Sequence, residues 1–188
     1  APQFKLIQEV NWVETWKQHY HPILVGTRLI ILPSWIEDYP EDRIPVRIEP
    51  GMAFGTGAHP TTTMCIRMIE RLIQKGDSFL DIGTGSGILL LAAENLGASR
   101  LVGIDSDDVA ISVAMENLVK NQIIEEKFHL ATGDLINGLN EKFRLVAANI
   151  IAEVIVRLLG CLRPVLTDDA VLICSGIIEK KMDMVREE

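Results

Sequence analysis

From Phe79 onward the chain alternates between short apolar runs and longer stretches whose apolar residues recur every three or four positions. Short apolar runs bounded by turn residues read as strands, and the longer period reads as helix. This places strands at Phe79–Ile82, Leu101–Ile104, Lys127–Ala131, Arg144–Ala148 and Ala170–Cys174. Helices follow at Ile88–Leu96, Val109–Lys120, Ile150–Leu162 (ended by Pro164) and Ile177–Glu188. In the second of these, Ala110, Val113, Ala114 and Leu118 are available for the core. Asp107 and Asp108 fall in its first turn, where the helix dipole favours anions. The near-continuous run L-V-A-A within Arg144–Ala148 suits a central parallel strand covered on both faces. Five alternations of strand and helix predict an α/β fold with a doubly wound, mostly parallel sheet.

The first third has weaker periodicity. Residues 1–10 alternate in part and could form a strand. Asn11 can cap a short helix, Trp12–Tyr20, whose Trp12, Val13 and Trp16 share one face. Ile23–Val25 and Arg28–Leu32 flank Gly26-Thr27 as a hairpin, and Val46–Glu49 is a further short strand. Residues 1–45 are expected as an N-terminal lead-in segment and 46–188 as a ligand-binding domain. Between them and the first long helix stands P-G-M-A-F-G-T-G-A-H-P-T-T-T, Pro50–Thr63. A glycine-rich loop of this length reads as a lid. Phe54 could close over a ligand with its aromatic face. The helix after it is expected from about Thr63 to Gln74, capped by Thr61 or Thr62.

The candidate chemistry centres on F-L-D-I-G-T-G-S-G, Phe79–Gly87. A strand running into Gly83, Gly85 and Gly87 makes a tight loop that a ligand can approach with no Cβ in the way. Asp105 ends the next strand, 105 − 83 = 22 residues on, where a βαβ unit places a ribose-binding acid. The pair reads as a nucleoside pocket. A dinucleotide fingerprint would need glycine at position 88, where Ile88 stands, and no phosphate-binding G-K-[ST] run exists. A nicotinamide-dependent oxidoreductase is thus the weaker reading, and an inactive cofactor-binding module is a third. Asp134 either contacts an adenine amino group or simply ends its strand. Gly83, Asp105, Asp134 and Asn149 all fall at carboxyl ends of strands, the rim where open α/β sheets bind ligands.

Composition narrows the class. Apolar residues make up 48% and charged residues 23%, with a net charge of −8. An acidic chain disfavours nucleic acid as a partner and suits a basic protein. Cys65, Cys161 and Cys174 stand far apart, as buried thiols in a reducing cytosol would, with no disulfide framework. No apolar run reaches 18 residues, so no membrane span is expected. His19 and His21 lack further ligands nearby, and no metal site is expected.

From about Trp12 onward the chain resembles the bacterial ribosomal protein L-eleven methyltransferase family. The resemblance rests on E-P-G-M-A-F-G-T-G-A-H-P-T-T (Glu49–Thr62), D-I-G-T-G-S-G-I-L (Asp81–Leu89), G-I-D (Gly103–Asp105), A-N-I (Ala148–Ile150) and S-G-I (Ser175–Ile177). Its D-x-G-x-G-x-G run is similar to the first motif of class I S-adenosylmethionine-dependent methyltransferases. The chain departs mildly from the family at Ala58, usually Thr, and at Thr84, often Cys. The resemblance implies S-adenosylmethionine as cofactor, contacted by Thr62, Gly83, Asp105 and Asn149, with Phe54 in the covering loop and Gly85 in the glycine loop beside it; it also leads one to expect a separate substrate-recognition domain beside residues 1–45 and last strands after Glu188. It implies a seven-stranded sheet and N-methylation of lysine and terminal amino groups on a free ribosomal protein. Asn149 could orient the accepting nitrogen, or merely cap the next helix.

Overall fold

The structure is a computed structural model and describes residues 21–49, 57 and 59–187. The expected strand at 1–10, the helix Trp12–Tyr20, His19 and most of the lid loop, Phe54 included, lie outside the described residues.

Two sheets organise the described chain. The smaller contains β1 (Ile23–Val25), β2 (Leu29–Leu32) and β3 (Ile44–Arg47), in that order. β1 and β2 form the expected antiparallel hairpin, with Val25 opposite Leu29. β3 runs parallel to β2 and begins two residues earlier than expected, at Ile44. It carries Pro45 because it is an edge strand, where a missing N–H breaks no ladder.

The larger sheet has five strands: β4 (Ser78–Ile82), β5 (Arg100–Asp105), β6 (Phe128–Thr132), β7 (Phe143–Asn149) and β8 (Leu166–Ser175). Their order is β6-β5-β4-β7-β8, and every neighbouring pair is parallel. β4 is the pivot. Chain order runs outward through β5 and β6 on one side and through β7 and β8 on the other. The connections after β4 and β7 therefore diverge and leave a crevice between them.

Helices cover both faces. α1 (Pro60–Leu72), α2 (Ile88–Asn95), α3 (Asp108–Lys120), α4 (Ala152–Leu159) and a short α5 (Met182–Arg186) follow in order. α2 is apolar almost all round, with Ile88 through Ala93 buried, since it lies between the two sheets. The main core joins Val25, Leu29, Ile31 and Val46 of the small sheet to Ile66, Ile69, Leu90 and Phe79. A second core, on the far face, contains Leu80, Val102, Val146 and Leu158. Residues alternate between these two cores along β4, as the two-residue period of a strand dictates.

β8 begins at Leu166, four residues before the expected Ala170, and three helix starts differ from expectation by more than one residue. α1 starts at Pro60, and its cap is His59, whose ring Nδ1 accepts from Thr61 N at 3.3 Å. Pro60 occupies the first helical position, where its fixed φ and missing N–H cost nothing, so neither threonine caps the helix. α4 starts at Ala152, after Ile150 and Ile151, and not at Ile150. The last segment is extended at Ile178, passes through a single 3-10 turn at Glu179–Lys181 and is helical only from Met182. The physical reason for the last two lies in the site described below.

The end of the sheet away from that site is tied by a buried ion pair. Arg144 Nε lies 2.7 Å from Asp77 Oδ2, with only 15% and 9% of the side chains exposed. Arg144 also donates to the Leu72 carbonyl at the end of α1, and Asp77 accepts from Gln74 N at 2.7 Å. Removing one partner leaves the other charge buried and unpaired. Arg144→Met should lower unfolding stability by about 2–3 kcal/mol, checked by urea denaturation against the parent chain.

Candidate functional site

The carboxyl end of β4 runs into the glycine loop. Gly83 N and Thr84 N both donate to Ile104 O, at 2.8 and 3.0 Å, so the loop is fastened to the end of β5. Gly83 has φ +72, and a Cβ there would collide with the Ile150 side chain. Gly176 has φ +84, and a Cβ there would sit 2.5 Å from Ile150 O. Ile150 is thus clasped between two glycines from distant parts of the chain. This explains why Ile150 and Ile151 stay outside α4. They form a wall before the helix begins, Ile150 at a bend and Ile151 extended.

Asp105 stands at the tip of β5. Its Oδ2 accepts from Gly85 N at 2.9 Å and its Oδ1 from Asp107 N at 3.1 Å. Each oxygen retains further acceptor capacity. The carboxylate is oriented by backbone alone, before any ligand arrives. Asp107 in turn caps α3 by accepting from Val109 N at 2.9 Å, the structural role the sequence pattern predicts.

These elements bound a cavity of about 580 Å³, a volume suited to a nucleoside-sized ligand. Thr62, Gly83, Gly85, Asp105, Asp134 and Asn149 all line it. Asn149 ends β7, and the cap position of α4 belongs to Ile151, so Asn149 is not a helix cap. Asp134 lines the cavity and also accepts from Arg157 at 2.5 Å, an exposed pair with both side chains more than half open. Thr62 is 1% exposed and its hydroxyl has no partner among the described residues.

Four features escaped the sequence reading. Asp81, 1% exposed, lines the cavity. Its Oδ2 accepts from Thr84 Oγ1 at 2.8 Å, and its Oδ1 has no partner among the described residues. Leu135 lines the cavity from the left-handed region, with φ +58. Ile151, Val154, Ile177 and Ile178 supply an apolar wall. Asn117 of α3, 1% exposed, donates to Ser86 O at 2.9 Å and accepts from Glu49 N at 3.3 Å. It joins the glycine loop to the strand that leads toward the lid. An asparagine on the apolar face of a helix was the available signal, because a buried amide must have partners.

A profile described as "Ribosomal protein L11 methyltransferase (PrmA)" matches residues 1–188. The chain belongs to this family. It is 46% identical over 184 residues to the ribosomal protein L11 methyltransferase of Dictyoglomus turgidum, covering 97% of this chain and 60% of that protein. With the same-named protein of Desulfosudis oleivorans it shares 42% over 186 residues, covering 97% and 62%. The chain therefore spans about three fifths of the length of these curated relatives. A crystal structure of ribosomal protein L11 methylase from Lactobacillus delbrueckii subsp. bulgaricus superposes with a TM-score of 0.83 at 35% identity, over 89% of this chain and 86% of that one. The five-stranded sheet is accordingly the α/β scaffold of class I methyltransferases.

The electrostatics of the family's glycine loop are set by Asp81. Burial pushes its carboxyl from the ordinary 3.8 to about 7; the Thr84 hydroxyl bond opposes this and the Asp105 charge adds to it. Between those two values the folded protein holds a proton that the unfolded chain has released. Stability is therefore highest at the acid end of this window and falls as pH rises toward 7. Asp81→Asn removes the titration. On raising the pH from 5 to 8, the melting temperature of the parent should fall more than that of Asp81→Asn. About 1 kcal/mol moves the melting point of a chain this size by about 2–4 °C, so scanning calorimetry resolves the difference.

Proposed function

We propose that this chain binds S-adenosylmethionine in the cavity at the carboxyl ends of β4, β5 and β7 and transfers its methyl group to amino nitrogens of a ribosomal protein. The observation that carries the reading is the Asp105 carboxylate, held by Gly85 N and Asp107 N beside a loop with no Cβ at Gly83. That geometry suits a ribose diol, whose two hydroxyls need acceptors in fixed positions. The cavity fits the rest of the cofactor. Partnerless polar atoms on Thr62 and Asp81 suit the charged methionine end, and the apolar wall at Ile150 and Ile151 suits the base. Gly83, Gly85, Asp105, Thr62 and Asn149 would hold the cofactor, with Asp134 at the adenine edge.

Bound S-adenosylmethionine supplies a methyl group already activated on a sulfonium, so the protein's own work is position and desolvation. Asn149 offers one carbonyl acceptor and one amide donor at the end of β7. Its carbonyl can accept a proton of the incoming amine and aim the nitrogen's lone pair at the methyl. An amine must be neutral to attack, and leaving water for this cavity favours the neutral form. The net charge of −8 and the family name support a basic ribosomal protein as the acceptor. Phe54, in the lid loop, would cover the sulfonium, whose attraction to an aromatic face is on the order of 0.5–2 kcal/mol. Among the described residues no helix is long and apolar enough to cross a membrane. A cytoplasmic location, with neither nucleic acid nor membrane as a direct partner, completes the proposal.

Calorimetric titration tests the cofactor. S-adenosylmethionine should bind and NAD should not, and Asp105→Ala should weaken binding about 10–100-fold, the worth of hydrogen bonds to a charged group. Tight binding of NAD would instead revive an oxidoreductase. Asn149 is tested separately with a purified ribosomal protein as acceptor. Asn149→Ala should lower turnover by about 100-fold or more, the usual cost of losing one well-placed polar group at a reacting centre; full turnover would remove Asn149 from the mechanism.

A further inference from the structure

β3 is an edge strand of the small sheet, yet its outer edge is paired. Toward β2, Ile44 N donates to Arg28 O at 2.8 Å and Ile48 N to Leu32 O at 3.0 Å. The outward groups alternate with these. Pro45 O accepts from Asn95 Nδ2 of α2 at 3.4 Å. Arg47 N donates to Asn121 Oδ1 at 3.0 Å, and Arg47 O accepts from Asn121 Nδ2 at 2.7 Å. Glu49 N donates to Asn117 Oδ1 at 3.3 Å. An asparagine side chain carries the C=O and N–H of a peptide group. Three asparagines thus stand in for a further strand.

Asn117 differs from the other two. Asn121 gives its amide nitrogen to Arg47 O and to Asn117 O, within its own helix end. Asn117 gives only its oxygen to the small sheet. Its nitrogen donates to Ser86 O at 2.9 Å, in the glycine loop. Asn117 is 1% exposed, so water replaces neither partner if the side chain is lost. One turn earlier on α3, Ala114 lies against Gly87, where an added Cβ would sit 3.1 Å from the Ala114 Cβ. α3 therefore meets the loop at two successive residues, Ser86 by a hydrogen bond and Gly87 by close approach. Ser86 directly follows Gly85, whose N–H holds Asp105.

We propose that Asn117 is a positioning residue through which the small sheet and the ligand cavity are coupled. The proposal rests on the cofactor reading above, which gives the cavity its ligand. Holding Ser86 O fixes the peptide plane after Ser86 and keeps Gly85 N aimed at Asp105. Glu49 is the other end of the joint. Its carboxylate is held by Ser34 Oγ and by Lys120 Nζ of α3 at 3.5 Å. The segment Arg47–Glu49 is thereby fastened to α3 through both backbone and side chain. A buried amide between two backbones acts in both directions. A ligand that steadies the loop strengthens the Glu49 contact, and loss of that contact weakens the ligand by the same factor. The small sheet thus supports the cavity although no residue of β1–β3 lines it.

The test sets two asparagines against each other. Asn121→Leu removes both bonds to Arg47 and leaves Ser86 untouched. Asn117→Leu removes one bond to β3 and the bond to Ser86. Both variants should melt below the parent. Only Asn117→Leu should move the Gly85 amide proton in a nitrogen–proton correlation spectrum and speed its exchange. S-adenosylhomocysteine, titrated by calorimetry, should bind Asn117→Leu about tenfold more weakly than the parent, the worth of one hydrogen bond. Its affinity for Asn121→Leu should stay within about twofold of the parent. In the parent alone, saturating S-adenosylhomocysteine should slow hydrogen exchange at Glu49 N about tenfold. Thr27 N, held by Glu70 at the hairpin, should be unchanged. That arm needs no variant to fold. Equal Gly85 shifts or equal affinities in the two variants, or unchanged exchange at Glu49 N, overturns the coupling and leaves the cofactor reading intact. Absence of binding to the parent overturns the cofactor reading, and the Gly85 amide then decides the role of Asn117 by itself.

Discussion

The hydrogen bond from Gly85 N to Asp105 Oδ2 is the constraint on which the site depends. It can form only if β4 and β5 are parallel neighbours in one register, with Ile82 beside Ile104. It also requires the loop to turn tightly enough for Gly83 N and Thr84 N to reach Ile104 O. The loop is thereby pinned to the next strand before its helix begins. A backbone held this way loses little freedom when a ligand docks, so the cost of ordering has been met during folding.

The other wall is built by different means. It contains no charge-assisted bond, only close approach. Ile150 sits where Gly83 and Gly176 both lack a side chain. Two strands that flank the pivot, β5 and β7, thus contribute opposite kinds of surface. β5 supplies an oriented carboxylate, and the segment after β7 supplies packed isoleucines. A cavity polar on one side and apolar on the other suits an amphipathic molecule with a diol at one place and a flat ring at another.

Strands were the most legible elements. Burial on both faces forces a run such as L-V-A-A to be apolar throughout, and turn residues bound it. The rim was legible for the same reason, since Gly83, Asp105 and Asn149 are the first polar or glycine residues after such runs, and Asp134 follows the end of β6 by two residues. The helix start at Ile88 was legible; those of α4 and of the last helix were not. Ile150-Ile151 and Ile177-Ile178 continue the apolar period of α4 and of the last segment, yet they serve the cavity wall and stay outside the helices. Periodicity reports that a side chain is buried and cannot report against what. His59 displaced Thr61 and Thr62 as a cap because Pro60 fixed the first helical residue, leaving the Thr62 side chain for the cavity. Asn117 stayed hidden because its two partners are 31 and 68 residues away in sequence.

Asp81 and Asp105 show how one short loop can give two identical side chains different tasks. Asp105 is at a strand tip, partly open, and both of its oxygens accept backbone N–H groups. Asp81 is four positions earlier than Gly85, inside the sheet, with one hydroxyl for company and one oxygen bare. The first has both oxygens met by backbone donors that cannot move away. The second is disfavoured as an anion by burial, and its strand neighbours Gly103 and Ala147 bring it no side-chain donor. Environment, and not residue type, sets the two carboxyl groups apart. The family's D-x-G-x-G-x-G run thereby does more than turn the chain. It places one acid where the sheet is driest, and it supplies the amide that holds the other.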